Sequence, residues 1–289
     1  MKAGFFFYRT VDINVLETIS EQFGIELVGA YFKENGELQS QNSKIFTFED
    51  ELLVQIEIAF IFYDVNENFD FISKALKRGV NIFLASLPDS SHNTLLELNE
   101  LSIEIGVPVG FGCAGEVLIK QEEIVGNYFM LNLIHDMGRE VNDVIFRRKL
   151  IYDIASFVRI RPCGLRKFRV NGIPLFDKVP KAFKLRLEYD NSSIITSDIT
   201  RIEEPVKCEL RFFSGNDGYF KELPTENIAL QPNLLKEPLI ILKDENYLAN
   251  LGLYIQEIQS KSPLSFDLDN AIETLGIFEM IEERLVPQT

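Results

Sequence analysis

The chain has 289 residues, and at about 150 residues per domain that length suggests two domains. With 46% apolar and 25% charged residues, its composition is that of an ordinary globular protein and not of a disordered chain. The formal net charge of −15 argues against nucleic-acid and membrane-surface roles, because phosphate backbones and anionic lipid are repelled. Ala3 to Tyr8 is a continuous apolar run, the pattern of a strand buried on both faces of a parallel sheet. Val15, Leu16, Ile19 and Phe23 then recur at helical spacing, with Gly24 where a helix C-cap belongs. Glu26 to Phe32, Ile45 to Phe48 and Ile58 to Tyr63 read as further strands, with a helical turn at Glu49 to Leu53. Phe69, Ile72 and Leu76 mark another helix, and Leu95, Leu98, Leu101 and Ile105 a longer one. The latter lies between strands at Asn81 to Ala85 and Val107 to Gly112. Strands alternating with helices predict βαβ crossovers and a doubly wound parallel sheet.

The pattern changes after about Gly115. Lys184 to Tyr189 and Val206 to Phe212 alternate strictly, as strands with one covered and one polar face do. Leu185, Leu187, Tyr189, Val206, Cys208, Leu210 and Phe212 are expected inside. Asn191-Ser192-Ser193 fits a glycosylation sequon but is read as a hairpin turn. Two helices close the chain, near Asn246–Ser260 and Asp267–Arg284. The expected fold is therefore a Rossmann-like α/β domain over residues 1–115, followed by an α+β domain over 116–289. The second has an open, mostly antiparallel sheet with helices on one face. Cys113, Cys163 and Cys208 include no CxxC pair and are expected as buried thiols. The apolar run after Met1 is too short for a secretory signal, and no segment has the length of a membrane span. A soluble, cytoplasmic protein is expected.

Several segments, in order, resemble the Gfo/Idh/MocA family, the glucose–fructose oxidoreductase and inositol dehydrogenase group. Gly79 to Pro88 resembles that family's strand ending in Glu-Lys-Pro, and Gly106 to Phe111 its G-V-x-x-x-V-G continuation. Leu150 to Phe157 resembles the D-x-x-x-H helix, Leu187 to Ser193 the L-x-Y-x-N-G-S hairpin, and the last helix the C-terminal acidic run. The resemblance spans nearly the whole chain and implies an NAD(P)-dependent oxidoreductase fold. The chain departs from the pattern where that chemistry is carried. The glycine positions of G-x-G-x-x-G/A hold Phe7, Arg9 and Asp12, where small residues normally let the backbone approach a pyrophosphate. Asp12 also puts a carboxylate at a helix N-terminus, the place a phosphate would occupy. Phe32-Lys33-Glu34 stands where a ribose-binding acid is expected. The family's proton-handling Lys and His positions hold Leu87 and Phe157, which carry no proton; Pro88 and Asp153 are retained. Asp153 reads as a structural carboxylate, with general base as the competing role.

Other residues are candidates for ligand contact. Tyr8 and Tyr63 end two strands at the crevice of the sheet, and Arg9, Lys33 and Pro88 join them as cofactor-binding candidates. His92 follows a strand at the sheet's C-terminal end, where open α/β sheets bind ligands, or else simply opens a helix. His135-Asp136 has no second His or Cys pair at ligand spacing, so no metal is expected. Arg147-Arg148-Lys149 with Arg159, Arg161, Arg166, Lys167 and Arg169 form a basic stretch. It is either a cleft for an anionic sugar or carboxylate, with Arg159 a substrate contact, or a solvated surface. The leading expectation is a protein that has lost the family's dehydrogenase chemistry, needs no cofactor, and binds a small molecule or a partner. The alternative is a divergent NAD(P)-dependent oxidoreductase acting on a sugar, polyol or sugar-derived substrate. Arg9 and Lys33 would then contact phosphate, and His92 or Asp153 would handle the proton. A monomer, or a homodimer through the open sheet face, is expected.

Overall fold

The computed structural model describes residues 1–34, 44–87, 90–112, 128–138, 141–160, 163–173, 180–201, 207–215, 217–223, 242 and 245–285. The chain divides into two compact units, Met1–Ala114 with Asn233–Glu273, and Gly115–Pro232 with Thr274–Thr289.

The first unit carries six parallel strands: β1 (Lys2–Phe7), β2 (Glu26–Phe32), β3 (Ile45–Phe46), β4 (Ile58–Phe62), β5 (Asn81–Leu84) and β6 (Val109–Phe111). They lie in the order β3-β2-β1-β4-β5-β6, connected through helices α1 (Ile13–Gln22), α2 (Glu49–Leu53), α3 (Phe69–Lys77) and α4 (His92–Ile105). The unbroken apolar strands are explained by burial on both faces: Phe5, Phe6, Phe7 and all of Ile58–Phe62 are inaccessible to solvent. Register places Phe7 opposite Phe32 on one side and Phe62 on the other. The three rings form a row across the sheet, with Phe7 4.4 Å from Phe62 and 6.0 Å from Phe32 between centroids. Such ring pairs add about 0.5–1.5 kcal/mol each beyond their buried area. Gly24 takes φ +64° directly after the C-cap of α1, the left-handed position that the sequence reserves for glycine.

A helix near the C-terminus, α6 (Glu245–Ser260), packs on this sheet. The order of elements alone assigns it to the second domain; in the structure it belongs to the first unit. The physical reason lies in two glycines at the end of β6. A Cβ at Gly110 or Gly112 would run into the ring of Tyr254 or Tyr247, so bare backbone is what lets both rings lie against the strand. The Tyr254 hydroxyl then donates to the Ile82 carbonyl at 2.8 Å, a buried hydrogen bond across 172 positions of sequence.

The second unit is built on β7 (Phe129–Asp136), β8 (Leu165–Ile173), β9 (Ala182–Tyr189), β10 (Ile194–Thr200), β11 (Lys207–Ser214) and β12 (Asp217–Leu223). The order is β12-β11-β7-β10-β9-β8. All pairs are antiparallel except β7 with β10, so the sheet is mixed and mostly antiparallel, as the alternation predicts. Leu185, Leu187, Tyr189, Cys208, Leu210 and Phe212 face inward and are buried; Val206 lies outside the described residues. The expected hairpin joins β9 to β10, with Ser192 at φ +70° and the Ser192 amide donating to the Tyr189 carbonyl. Helix α5 (Asp143–Ile160) is buried without a break from Arg148 to Val158. A last helix, α7 (Leu268–Leu285), passes from the first unit into the second at Thr274. No helix among the described residues is long and apolar enough to cross a membrane.

Candidate functional site

In a doubly wound sheet, ligands bind beyond the C-terminal strand ends where the strand order reverses. Here that point lies between β1 and β4. Tyr8 follows β1, Tyr63 follows β4 and Lys33 follows β2, and the fold brings the three together. The Tyr8 and Tyr63 rings are 5.3 Å apart, and the Lys33 ammonium lies 5.5 Å from each ring centroid. Lys33 Nζ donates to Asn68 Oδ1 at 2.6 Å, and Asn68 Nδ2 donates to the Tyr8 hydroxyl at 3.3 Å. The Tyr8 hydroxyl donates to Glu67 at 2.9 Å, and the Tyr63 hydroxyl to Glu49 at 3.4 Å. Burial raises the Tyr63 phenol far above its ordinary range, and the Glu49 charge adds to that. Burial likewise raises the Glu49 carboxyl, with Lys33 opposing it. The sequence pointed to the two tyrosines and the lysine. Glu49, Glu67 and Asn68 were not anticipated, because nothing in their spacing marks them out.

The first βα turn runs from Tyr8 to Asp12. Phe7, before it, is sealed in the ring row. Arg9 is exposed and pairs with Glu34 at 3.4 Å, a surface pair of little energetic weight. Asp12 is the N-cap of α1: its Oδ1 accepts from the Asn14 amide at 3.0 Å and from Asn14 Nδ2 at 2.8 Å. Asp12→Ala is expected to lower the unfolding free energy by about 1 kcal/mol. Urea denaturation reads this as a lower midpoint at unchanged slope.

In the second unit a separate set of polar side chains meets between α5 and the sheet. Lys149 and Asp153 stand four residues apart on one face of α5, and Lys149 Nζ donates to Asp153 Oδ1 at 2.7 Å. Ser197 Oγ, from β10, donates to Asp153 Oδ2 at 3.0 Å. His135 Nε2, from β7, lies 3.2 Å from the same oxygen, and Cys208 Sγ, from β11, is 3.1 Å from His135 Nδ1. All five residues are buried. The imidazole thus stands between the Asp153 carboxylate, which as an ion only accepts, and the Cys208 thiol. Burial by itself would raise the Asp153 carboxyl. The Lys149 ammonium, His135 and their hydrogen bonds outweigh it and hold the group well below the usual range. The Lys149–Asp153 spacing is visible in the sequence; the contribution of three strands is not.

The remaining candidates are dispersed. Leu87 and Phe157 are fully buried. His92 is the half-buried first residue of α4, whose N-cap is Ser91. Arg159 is half-buried near the end of α5. Pro88 and Arg161 lie outside the described residues. The basic stretch is divided: Lys149 goes inward to Asp153, Arg147 pairs with Glu282 at 3.2 Å, and Arg166 and Arg169 turn to Glu188. Among the described residues no three His, Cys, Asp or Glu side chains are grouped to hold a metal ion.

No family model and no curated protein sequence matches the chain. Solved structures do. UDP-N-acetylglucosamine 3-dehydrogenase from Acidithiobacillus ferrooxidans superposes with a TM-score of 0.72 at 14% identity, over 99% of this chain and 97% of the other. A myo-inositol dehydrogenase from Corynebacterium glutamicum gives 0.72 at 15% identity, over 98% and 96%. The chain has the Gfo/Idh/MocA dehydrogenase fold. An oxidoreductase from Agrobacterium radiobacter, solved with NAD+, L-tartaric acid and magnesium, matches over 99% and 96% with a TM-score of 0.67 at 10% identity. At such identities the likeness speaks for architecture, and this chain's own side chains must carry any argument about chemistry.

Proposed function

We propose that this protein uses the Gfo/Idh/MocA dehydrogenase fold for ligand binding or protein interaction and not for the fold's NAD(P)-dependent chemistry. The observation that carries this reading is the first βα turn. At the N-terminus of α1 the Asn14 amide donates to the carboxylate of Asp12, and no glycine stands between Phe7 and Ile13. A dinucleotide pyrophosphate brought there would meet a fixed negative charge and side chains where bare backbone is required. The residues present do not fit it. The proton-handling positions add support: Leu87 and Phe157 are apolar and buried, and Asp153 is held by Lys149, Ser197 and His135 inside the second unit. The ligand class we assign is an uncharged or anionic sugar or a small carboxylate at the switch-point crevice, with Tyr8 supplying a ring face and Lys33 the cation, while the buried Tyr63 packs behind them. A monomer, or a homodimer through the open face of the second sheet, fits the mixed Lys184–Asp198 and Arg211–Glu209 pairs on that face.

Titration with NADH and NADPH, followed by cofactor fluorescence, is expected to show no saturable binding tighter than about 1 mM. A thermal-shift panel of polyols, sugar acids and nucleotide sugars is expected to contain the ligand, recognised by a melting temperature that rises with its concentration. Saturable NAD(P)H binding with turnover of a polyol or sugar would overturn the reading. The divergent-oxidoreductase alternative draws on one observation, the near full-length match to dehydrogenases, one of them holding NAD+. Under it Arg9 and Lys33 contact phosphate, and Arg9→Ala weakens cofactor binding.

A further inference from the structure

β8 ends the second sheet: among the described residues no strand pairs with its other edge. Its pairing with β9 slips between Leu165 and Lys167. Bulges of this kind re-aim side chains, and Arg166 and Lys167 are consecutive exposed residues in a strand that otherwise alternates. Arg166, Arg169 and Arg186 converge on one carboxylate, Glu188, at 3.4, 3.7 and 2.8 Å. Three guanidiniums offer about fifteen N–H donors to a carboxylate with about four acceptor positions. Glu188 is almost covered, whereas the three arginine side chains remain 57, 56 and 38% exposed. On the other side of the strand Arg284 of α7 lies 4.1 Å over the Phe168 ring, next to Val170. Residues 166–171 of the strand and Arg284 line an open groove of about 700 Å³.

We propose that the β8 edge is a docking strand for an acidic, extended segment of a partner protein. Charge selects the partner: three arginines share the single carboxylate of Glu188, and Lys167 and Arg284 add two more cations along the same strand, in a chain whose net charge is −15. Shape selects an extended chain, because a groove open along its length does not bury most of a small molecule's surface. An added strand would pair with the free backbone edge and present its side chains alternately to the two faces. Acidic side chains would meet Arg166, Lys167, Arg169 and Arg186; apolar ones between them would meet Phe168 and Val170. The same cations oppose edge-to-edge pairing with a second copy of β8. A nucleic acid is disfavoured by the chain's overall charge and by the Arg284 guanidinium covering the one aromatic face in the groove. The inference concerns the second unit and does not depend on the reading of the switch-point crevice.

The test is fluorescence anisotropy with the full-length protein and a labelled octapeptide of alternating Glu and Val. Saturable binding is expected, about tenfold or more tighter than for the matching Lys–Val peptide, and weakened by salt. Backbone N-methylation of the Glu–Val peptide is expected to abolish binding, because the strand edge can then no longer be matched. Lys167→Glu, at an exposed position, and Arg169→Glu are each expected to weaken binding about tenfold. Circular dichroism checks that both variants fold, and the Lys167 variant decides the matter should Arg169→Glu fail to. The proposal is overturned by no binding of the Glu–Val peptide, by equal binding of its N-methylated form, or by preferential binding of an oligothymidylate of equal charge.

Discussion

Lys149→Met is expected to destabilise the protein by about 3–5 kcal/mol, the cost of leaving a buried charge without its partner. The variant keeps the aliphatic volume of the side chain and removes only the ammonium 2.7 Å from Asp153. What remains around the carboxylate is the Ser197 hydroxyl and the His135 ring. Chemical denaturation at neutral pH reads the loss directly. The double variant Lys149→Met/Asp153→Leu is expected to recover most of it, because an apolar pair of similar volume needs no compensation. The effect has a pH signature. Asp153 titrates lower in the folded protein than in the unfolded chain, where about 3.9 is usual. Its contribution is therefore complete above that value and lost as pH falls through the folded value. In Lys149→Met the largest influence left is burial, which raises the carboxyl. The penalty of the substitution is thus expected to shrink as pH drops below about 4. A stability loss under about 1 kcal/mol, or one independent of pH in that window, would contradict the ion-pair account.

Phe7→Ala is expected to cost about 3–5 kcal/mol, as truncation of a buried phenylalanine does. The ring is sealed from solvent and packed against Phe5, Phe32 and Phe62 on the central strands of the first sheet. Neighbouring strands are hydrogen-bonded on both sides, so the backbone cannot collapse into the space. The same substitution returns a small side chain to the first position of the glycine pattern. No gain in NADH affinity is expected, because Asp12 still occupies the N-terminus of α1. Denaturation and NADH titration on one preparation separate the two effects: large loss of stability, unchanged cofactor affinity. A gain in NADH affinity would instead favour the oxidoreductase reading.

Local patterns made most of the fold legible. Uninterrupted runs such as Ile58–Phe62 declare a strand with no solvent face, and strict alternation such as Lys184–Tyr189 declares one covered face. Both statements depend only on residues two or so positions apart, which is why they hold without the tertiary structure. The candidate site was legible in part, and the division is physical. Tyr8, Lys33 and Tyr63 could be named because strand ends at the crevice of a doubly wound sheet are predictable places. Their partners Glu49, Glu67 and Asn68 sit on helices and turns whose approach to the sheet no periodicity records.

The amino-acid sequence alone determined the alternating elements of the first unit, the amphipathic strands of the second, and the side chains at the positions where related folds carry their chemistry. Tertiary structure alone decided which of those side chains meet. Cys208 stands opposite His135 only because β11 pairs with β7 in that register, and Ser197 reaches Asp153 only because α5 lies across that face of the sheet. Helix α6 rests on the first sheet because Gly110 and Gly112 leave room for two tyrosines more than a hundred residues away. Periodicity reports which face of an element is buried. It carries no information on what that face is buried against, since burial is non-directional and partners are selected by shape and by hydrogen-bond geometry.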